Sequence, residues 1–355
     1  MDKALIGKEQ FNLVRKLMAW LLNLATLRQR QRPRTMALVA TVLCATLASG
    51  FAPQREARRA ATTRRAATSD AQLLDAACEA ARAAGALIRG ASSAGRAVAQ
   101  SKANAKDLLT TTDVACQAAA AAVLAARVPE SRLLGEEDVA PGGDAARRAA
   151  EAAFAGDGVV WALDPIDGTA NFVDAIPLSA VSVAAVKCRS GAAPEVVAGA
   201  VYDPSRDELF GALRGAGAWC QRGGGARAPL AASPNALRDA VVYAGAPPTA
   251  RALDPSLRGI AAVAPKARTM RLLGSAAIML AYTAAGRGAA YFECDLAAWD
   301  TAAGALLVAE AGGLVTDAAG APYGPLTRQI VAAGPGCHAE LLATLDAVGG
   351  ARLDD

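Results

Sequence analysis

Residues 161–172 read Trp-Ala-Leu-Asp-Pro-Ile-Asp-Gly-Thr-Ala-Asn-Phe and join an apolar strand to a turn that carries two carboxylates. Asp164 and Asp167 stand at the end of that strand. Mg²⁺ prefers oxygen ligands and is usually held by carboxylates together with water and substrate phosphate. Gly168 and Thr169 begin a predicted helix, where backbone N–H groups suit a phosphate. The stretch predicts a site for a divalent cation and a phosphate; an acidic turn of purely structural meaning is the alternative.

Helices and strands alternate on both sides of this stretch. Ser69 and Asp70 supply an N-cap to the first helix, and Gly312 follows the last predicted one. Such alternation predicts layers in which helices cover the faces of sheets. The predicted helices are 70–89, 113–127, 275–285 and 300–311, and the predicted strands are 159–163, 178–186, 196–202, 208–213, 268–273, 289–293, 314–316 and 329–333.

Three further acidic clusters surround the central stretch. Glu136 follows a short apolar run, which places it at the end of a strand. Asp300 opens a helix after the predicted strand that ends in Glu293, and Asp113 lies in the run Asp-Leu-Leu-Thr-Thr-Thr-Asp at 107–113. Each cluster alone has a structural interpretation, since Asp is a common helix N-cap.

Composition and charge restrict the class of protein. The 355 residues are 53% hydrophobic, which excludes a disordered chain and allows a large core. No apolar run reaches the roughly 18 to 20 residues that a membrane span needs. Residues 1–69 hold 13 Lys or Arg against three acidic residues, a net of +10, so the total of +4 leaves −6 for residues 70–355. An acidic body argues against nucleic-acid binding, which depends on basic patches.

The cysteines and the single histidine exclude several kinds of site. Seven cysteines are scattered without a Cys-x-x-Cys pair, so we expect reduced, mostly buried thiols and neither a zinc site nor a disulfide framework. A catalytic triad or a multi-histidine metal site would have to include His338, the only histidine. We expect His338 to be a surface residue at a helix end.

The first 69 residues have the pattern of a targeting segment. An apolar stretch at 36–50 follows four arginines at 28–34, as in a signal peptide, and places a cleavage site before Phe51. The arginine-rich stretch at 55–65 has the composition of a transit peptide. Together they resemble the bipartite presequences that deliver proteins to the secondary plastids of algae, so we expect plastid import.

Three alternatives remain for this targeting segment. They are a mitochondrial presequence, a secreted protein, and an overlong gene model whose true start is Met36, because a signal peptide normally begins at its methionine. We exclude residues 1–69 from the reasoning about the fold.

Taken in order, the motifs of the body resemble the inositol monophosphatase family of Mg²⁺-dependent, lithium-sensitive phosphatases. The resemblance extends over about 70 to 345, and only the ordered set of motifs is specific. The motifs are Asp-Leu-Leu-Thr-Thr-Thr-Asp at 107–113, Gly-Glu-Glu at 135–137, Asp-Pro-Ile-Asp-Gly-Thr-Ala-Asn-Phe at 164–172, Gly-Ala-Val-Tyr-Asp-Pro at 199–204, Arg-Leu-Leu-Gly-Ser-Ala-Ala at 271–277, Trp-Asp-Thr-Ala-Ala-Gly at 299–304 and Glu-Ala-Gly-Gly at 310–313.

The resemblance implies the architecture. The expected fold is an α/β layered αβαβα sandwich of the inositol monophosphatase and fructose-1,6-bisphosphatase type, formed by residues 70–355 in a homodimer. A metal and phosphate half is expected at 70–230 and a substrate-lining half at 231–355.

The resemblance also implies two or three Mg²⁺ ions in each active site. One is expected on Glu136, Asp164 and the Ile166 carbonyl, and a second on Asp164, Asp167 and Asp300. A third, weaker ion would reach Glu136 and water. Metals at such sites clamp the attacking and leaving oxygens of a displacement.

The remaining implied roles concern water and substrate. Thr169, paired with Asp113, would orient and deprotonate the attacking water, and Glu136 completes this catalytic group. The substrate would be held by seven residues: Gly168 and Thr169 at the phosphate, and Gly274, Ser275, Ala276, Glu293 and Asp300 at the rest of the molecule. The expected reaction is hydrolysis of inositol-1-phosphate to myo-inositol and phosphate without a covalent intermediate.

Departures from the family pattern bear on the substrate. Asp174-Ala175 stands where relatives usually have His-Gly, and Ala298 where some have Cys. Asn171 and Phe172 after the central motif argue against the bisphosphate nucleotidase branch. Histidinol-phosphate phosphatase and fructose-1,6-bisphosphate or other sugar-phosphate phosphatases remain alternatives, and a catalytically silent sensor or scaffold is an alternative of another class.

Overall fold

The computed structural model describes residues 68–91, 95–101 and 108–353. The predicted targeting segment lies outside this part of the chain except for its last two residues, so its role stays a prediction. None of the helices in the described part is both long enough and apolar enough to cross a lipid bilayer.

The helices and strands follow the alternation expected from the sequence. The helices are α1 (Asp70–Gly90), α2 (Thr111–Arg127), α3 (Gly143–Phe154), α4 (Thr169–Val173), α5 (Ala250–Val263), α6 (Ala276–Ala284), α7 (Ala298–Glu310) and α8 (His338–Asp346). The strands are β1 (Val98–Ser101), β2 (Leu108–Thr110), β3 (Arg132–Gly135), β4 (Gly158–Asp167), β5 (Ala180–Cys188), β6 (Glu195–Asp203), β7 (Glu208–Leu213), β8 (Gly217–Arg222), β9 (Arg227–Pro229), β10 (Val241–Ala244), β11 (Thr269–Arg271), β12 (Ala290–Cys294), β13 (Leu314–Thr316) and β14 (Gln329–Ala333). Short 3₁₀ turns lie at Glu136–Asp138 and Leu237–Asp239.

The larger sheet has seven strands in sequence order from β3 to β9. β3 and β4 are parallel, and the other neighbours are antiparallel. Helices α1 and α2 pack on one face, and α6 and α7 lie on the other. Because both faces are covered, the central strands read as nearly continuous apolar runs instead of alternating with polar residues.

The smaller sheet has five strands in the order β11, β10, β12, β14, β13. Its inner face packs on α6 and α7, and its outer face is covered by α5 and α8. The layers are therefore helix, sheet, helix, sheet, helix. This confirms the predicted αβαβα sandwich.

The central helix layer is rich in alanine, which accounts for nine of the 22 residues of α6 and α7. All residues of α6 are buried, and so are most of those of α7. A helix enclosed on all sides has no polar face, so its sequence shows no amphipathic period. Alanine suits this layer because it combines high helix propensity with small volume.

Predictions about single residues were partly wrong. His338 lies at a helix end, as expected, but it is buried and not a surface residue, and its Nε2 lies 3.1 Å from Thr316 Oγ1. Burial lowers the pKa of its imidazole. The six cysteines of the described part are free and buried, which confirms the expectation for them; Cys44 lies outside that part.

Candidate active site

The end of β4 brings two carboxylates to one edge of the larger sheet. Residues three apart on a regular strand point to opposite faces. Here the pairing with β5 is irregular, because Asp164 pairs with Ser182 whereas Asp167 pairs with Ala180. A bulge at this point bends the strand, and Pro165 is tolerated there. Both carboxylates therefore reach the same cluster.

Asp300 joins this cluster from the first turn of α7. One carboxylate oxygen each from Asp164, Asp167 and Asp300 lies within 4.8 Å of the others. Asp300 Oδ2 accepts a hydrogen bond of 2.7 Å from the Ala297 N–H, which fixes its side chain at the start of the helix. Such a hydrogen bond is typical of residues that cap a helix. The sequence alone therefore does not distinguish Asp300 from an ordinary capping residue.

Glu136 reaches the cluster through strand pairing. β3 runs parallel to β4, with Gly135 opposite Leu163, so Glu136 leaves the sheet at the same edge as Asp164. The Glu137 N–H donates to Gln117 Oε1 at 3.0 Å and ties this turn to α2. The predicted placement of Glu136 at the same strand end is confirmed.

Burial and mutual repulsion disfavour the charged forms of these acids. Desolvation, followed by the charges of Glu136, Asp167 and Asp300, raises the pKa of Asp164 well above its ordinary value. Burial and the neighbouring charges also raise the pKa of Asp300. A protein that assembles such a set without a compensating cation loses stability at neutral pH.

Asp167 is partly compensated by the start of α6. The hydroxyl of Ser275 donates to Asp167 Oδ2, and the Ala277 N–H donates to the same oxygen at 2.7 Å. The Ala276 N–H donates to Oδ1 at 3.3 Å. Burial raises the pKa of Asp167 to about 6, and these hydrogen bonds act in the opposite direction. Ser275 and Ala276, predicted to contact substrate, therefore contact a predicted metal ligand.

This donor set fits Mg²⁺. The cluster offers oxygen ligands only, from Asp164, Asp167, Asp300 and the neighbouring Glu136. Hard divalent cations take such ligands, and a cation would relieve the repulsion that raises the pKa values. Ile166, whose carbonyl would add a further oxygen ligand, lies at the same bend of β4 and lines the same cleft.

Thr169 and Asp113 are neighbours, as predicted. Thr169 Oγ1 lies 3.4 Å from Asp113 Oδ1 and 3.0 Å from the Ile166 carbonyl oxygen, so its single proton has two acceptors. Asp113 is buried at the start of α2, where Oδ2 accepts hydrogen bonds from the backbone N–H and the hydroxyl of Thr110. Asp113 is thus a fixed acceptor behind Thr169.

Gly168 starts the short helix α4 in a left-handed conformation, with φ of +87°. A Cβ at this position would also come within 3.0 Å of the Gly274 and Leu178 carbonyl oxygens. Asn171 holds the same region together, because its Nδ2 donates to the carbonyls of Leu178 and Leu273 at 2.8 and 2.7 Å. Gly168 and Gly274 are thereby brought side by side.

Glu293 stands on β12 of the smaller sheet and lines the same cleft as Thr169. Tyr291 lies two residues earlier on the same face of β12, and its hydroxyl donates to Glu293 Oε2 at 2.6 Å. Burial raises the pKa of Glu293 to about 7. The sequence analysis missed Tyr291, although the spacing Tyr-x-Glu on a strand indicates two side chains on one face.

A cleft of about 600 Å³ connects these groups. All the predicted metal and substrate residues line it, and Asp113 alone of the predicted site residues does not. Three segments that the sequence analysis did not assign complete its walls: 139–143, 245–249 and 294–297. Turn-forming Pro141-Gly142 and Pro247-Pro248 were the only signals for the first two.

Comparisons with known proteins agree with this arrangement. The sequence profile of the inositol monophosphatase family matches residues 69–348. An inositol-1-monophosphatase of Rhizobium meliloti (strain 1021) is 44% identical over 161 residues, 45% of this chain and only 57% of that protein. The Nus factor SuhB of Escherichia coli (strain K12) is 35% identical over 279 residues, 77% of this chain and 95% of that protein. The solved inositol monophosphatase of Anabaena (Nostoc) sp. PCC 7120 superposes with a TM-score of 0.60 at 28% identity, covering 78% of this chain and 96% of that one.

Proposed function

We propose that this chain, which belongs to the inositol monophosphatase family and is a phosphatase, hydrolyses inositol-1-phosphate to myo-inositol and phosphate with Mg²⁺. One observation carries the proposal. A cluster of acidic side chains, the Thr169 hydroxyl with Asp113 behind it, and the Glu293 carboxylate are brought together at a single cleft.

The acidic cluster would hold the metal. Glu136, Asp164 and the Ile166 carbonyl would bind one Mg²⁺, and Asp164, Asp167 and Asp300 a second. When bound, Mg²⁺ polarises the phosphate, neutralises its developing charge and makes a water molecule more acidic. The Ser275 hydroxyl and the Ala277 N–H orient Asp167 for this role.

Thr169 and Asp113 would position and deprotonate the attacking water. The Thr169 proton is shared between the Ile166 carbonyl and Asp113. If the Ile166 carbonyl is used for metal binding, the proton turns to Asp113 and leaves a lone pair of Thr169 Oγ1 directed to the cleft. That oxygen then accepts a hydrogen bond from water, and Asp113 takes the proton that Thr169 passes on.

The two ends of the cleft would recognise the two ends of the ester. Gly168 and Thr169 line it at the start of α4, where backbone N–H groups suit the phosphate. Glu293 lines the same cleft from the smaller sheet, with one carboxylate oxygen occupied by Tyr291. Its other oxygen accepts from a hydroxyl of the substrate. A polyol supplies such a donor, which favours an inositol phosphate.

The partners and the cellular location are also proposals. We propose a homodimer, which the family likeness supports, and no nucleic-acid partner, because the net charge of residues 70–355 is −6. We propose plastid delivery from the bipartite pattern at 1–69. A fluorescent fusion of residues 36–69 distinguishes the plastid from the mitochondrion and from secretion.

The test of the main proposal is phosphate release by residues 70–355 with Mg²⁺. The esters compared are inositol-1-phosphate, histidinol phosphate, fructose-1,6-bisphosphate and adenosine 3′,5′-bisphosphate. The expected result is the highest kcat/KM on inositol-1-phosphate. Preference for another ester would overturn the substrate and keep the metal chemistry, and release from none would favour the silent scaffold.

A further inference from the structure

An ion pair lies at the wall of the cleft that is formed by residues 294–297. The Arg328 guanidinium contacts Asp295 Oδ1 through Nη2, and both side chains are mostly buried, with 15% and 12% of their surface exposed. Asp295 lines the cleft, whereas Arg328 does not. The carboxylate therefore belongs to the wall and the cation lies behind it.

This pair joins three cleft segments that are distant in sequence. Thr249 Oγ1 donates to Asp295 Oδ2 at 3.4 Å, at the start of α5. Arg328 Nη1 donates to Asp144 Oδ1 at 3.3 Å, at the start of α3. Segments 245–249, 139–143 and 294–297 meet at this point.

The backbone supports the same arrangement. Asp295 has a φ of +65°, a left-handed conformation that few residues other than Gly, Asn and Asp adopt readily. The Leu296 N–H donates to the Arg328 carbonyl at 3.1 Å. A Cβ at Gly143 would come within 2.0 Å of Arg328 Nη2 and 2.3 Å of Asp295 Oδ1, so the helix start is fitted closely to the pair.

We infer that Asp295 is a positioning residue that, paired with Arg328, fixes the segment between Glu293 and Asp300. This rests on the proposed function. The pair holds the part of the cleft wall next to Glu293, which under the proposed function meets the alcohol part of the ester. Its loss weakens binding of a large alcohol more than it slows the chemistry at phosphorus.

Asp295→Asn is the decisive variant. Asn keeps the size, tolerates the left-handed backbone and can still bond to Thr249, so the change removes mainly the charge. We expect KM for inositol-1-phosphate to rise about tenfold with kcat within about threefold, because a displaced wall affects binding first. KM for methyl phosphate, which has almost no alcohol part, should change less than about twofold.

Two further variants separate this role from general stability. Arg328→Gln should raise KM to a similar extent, and the double variant should be no worse than either single one, as for coupled residues. Arg222→Gln removes a partner of the buried Glu208, which lies outside the cleft lining, and should leave both KM values unchanged.

Hydrogen exchange tests the inference without catalysis. In Asp295→Asn and Arg328→Gln, the amides of residues 294–300 should exchange at least about fivefold faster, while those of 160–167 keep their rates. If the wild type were inactive on every ester, the proposed function would be rejected, but hydrogen exchange would still test whether the pair fixes residues 294–300. Unchanged exchange at 294–300, additive effects in the double variant, or equal losses on both esters would overturn the inference.

Discussion

Glu293 occupies the space in which a side chain at Gly245 would have to lie. An ideal Cβ on Gly245 would come within 1.6 Å of the Glu293 carboxyl carbon. The loop that follows β10 therefore approaches β12 closely because residue 245 has no side chain, and this lets the Glu293 carboxylate reach the cleft beside Tyr291.

Gly245→Ala should displace the Glu293 carboxylate. We expect KM for inositol-1-phosphate to rise about tenfold and stability to fall by about 1–3 kcal/mol, as for overpacked sites. Steady-state kinetics and thermal melting measure both. Gly224→Ala is the matched control, since nothing lies within 4 Å of a Cβ there. An unchanged KM in Gly245→Ala would reject a substrate contact for Glu293.

Thr169→Val should reduce kcat by about 10²- to 10⁴-fold, because it removes the hydroxyl that links water to Asp113 while keeping the shape of the side chain. Thr169→Ser, which keeps the hydroxyl, should recover most of the rate. The melting temperatures of all three proteins should agree closely. Equal activities of the Val and Ser variants would exclude a proton role for Thr169.

Asp164→Asn should reduce kcat by about 10³-fold or more, because the acid shared by both expected metal sites is lost. Since burial and like charges raise the pKa of Asp164, a neutral side chain should leave the metal-free protein at least as stable as the wild type. Added Mg²⁺ should raise the melting temperature of the wild type and not of the variant. Full activity of the variant would reject the two-metal interpretation.

The stability of the metal-free protein should depend on the ionisation of Glu293. Burial raises its pKa from 4.5 to about 7, so between these values the folded protein binds more protons than the unfolded chain. Its contribution to the free energy of unfolding is therefore lost as pH rises through this window. In EDTA, raising the pH from about 5 to about 8 should lower the free energy of unfolding of the wild type relative to that of Glu293→Gln. A difference that does not vary with pH would contradict the shift.

Lithium should inhibit the enzyme. Li⁺ is a small, hard cation, and the oxygen-only ligand set can accept it in place of one Mg²⁺. We expect inhibition at concentrations on the order of tens of millimolar, measured as phosphate release at fixed Mg²⁺. Na⁺ at the same ionic strength is the control. Insensitivity to Li⁺ would point to another branch of the family.

The local pattern of apolar and turn-forming residues was sufficient to predict much of the fold. The predicted bounds of β7, β13 and β14 agree with the structure, because these strands are short apolar runs between turn residues. Helix α5 was missed, since Pro255 lies inside it and proline normally ends a helix. Helices α3 and α8 and strands β8 to β10 were also missed, because their apolar content is low or their length is short.

The site residues were predictable for a different reason. Asp300 and Asp113 have the same local signature as ordinary helix caps, and only the ordered set of motifs singled them out. The bulge that aligns Asp164 with Asp167 is a property of pairing with β5 and is invisible in β4 alone. The contact between Asp295 and Arg328 joins positions without a common motif, so only the folded structure reveals it.

The central helix layer has a consequence for the geometry of the cleft. Asp164 and Asp167 belong to the seven-stranded sheet and Glu293 to the five-stranded sheet, and α6 and α7 lie between the two sheets. The two groups are therefore carried by different sheets, and the packing of α6 and α7 sets how these sheets stand relative to each other. A substitution inside α6 or α7 that changes this packing should therefore move Glu293 relative to Asp164 and Asp167, and so alter the fit of an ester that the substituted residue never touches.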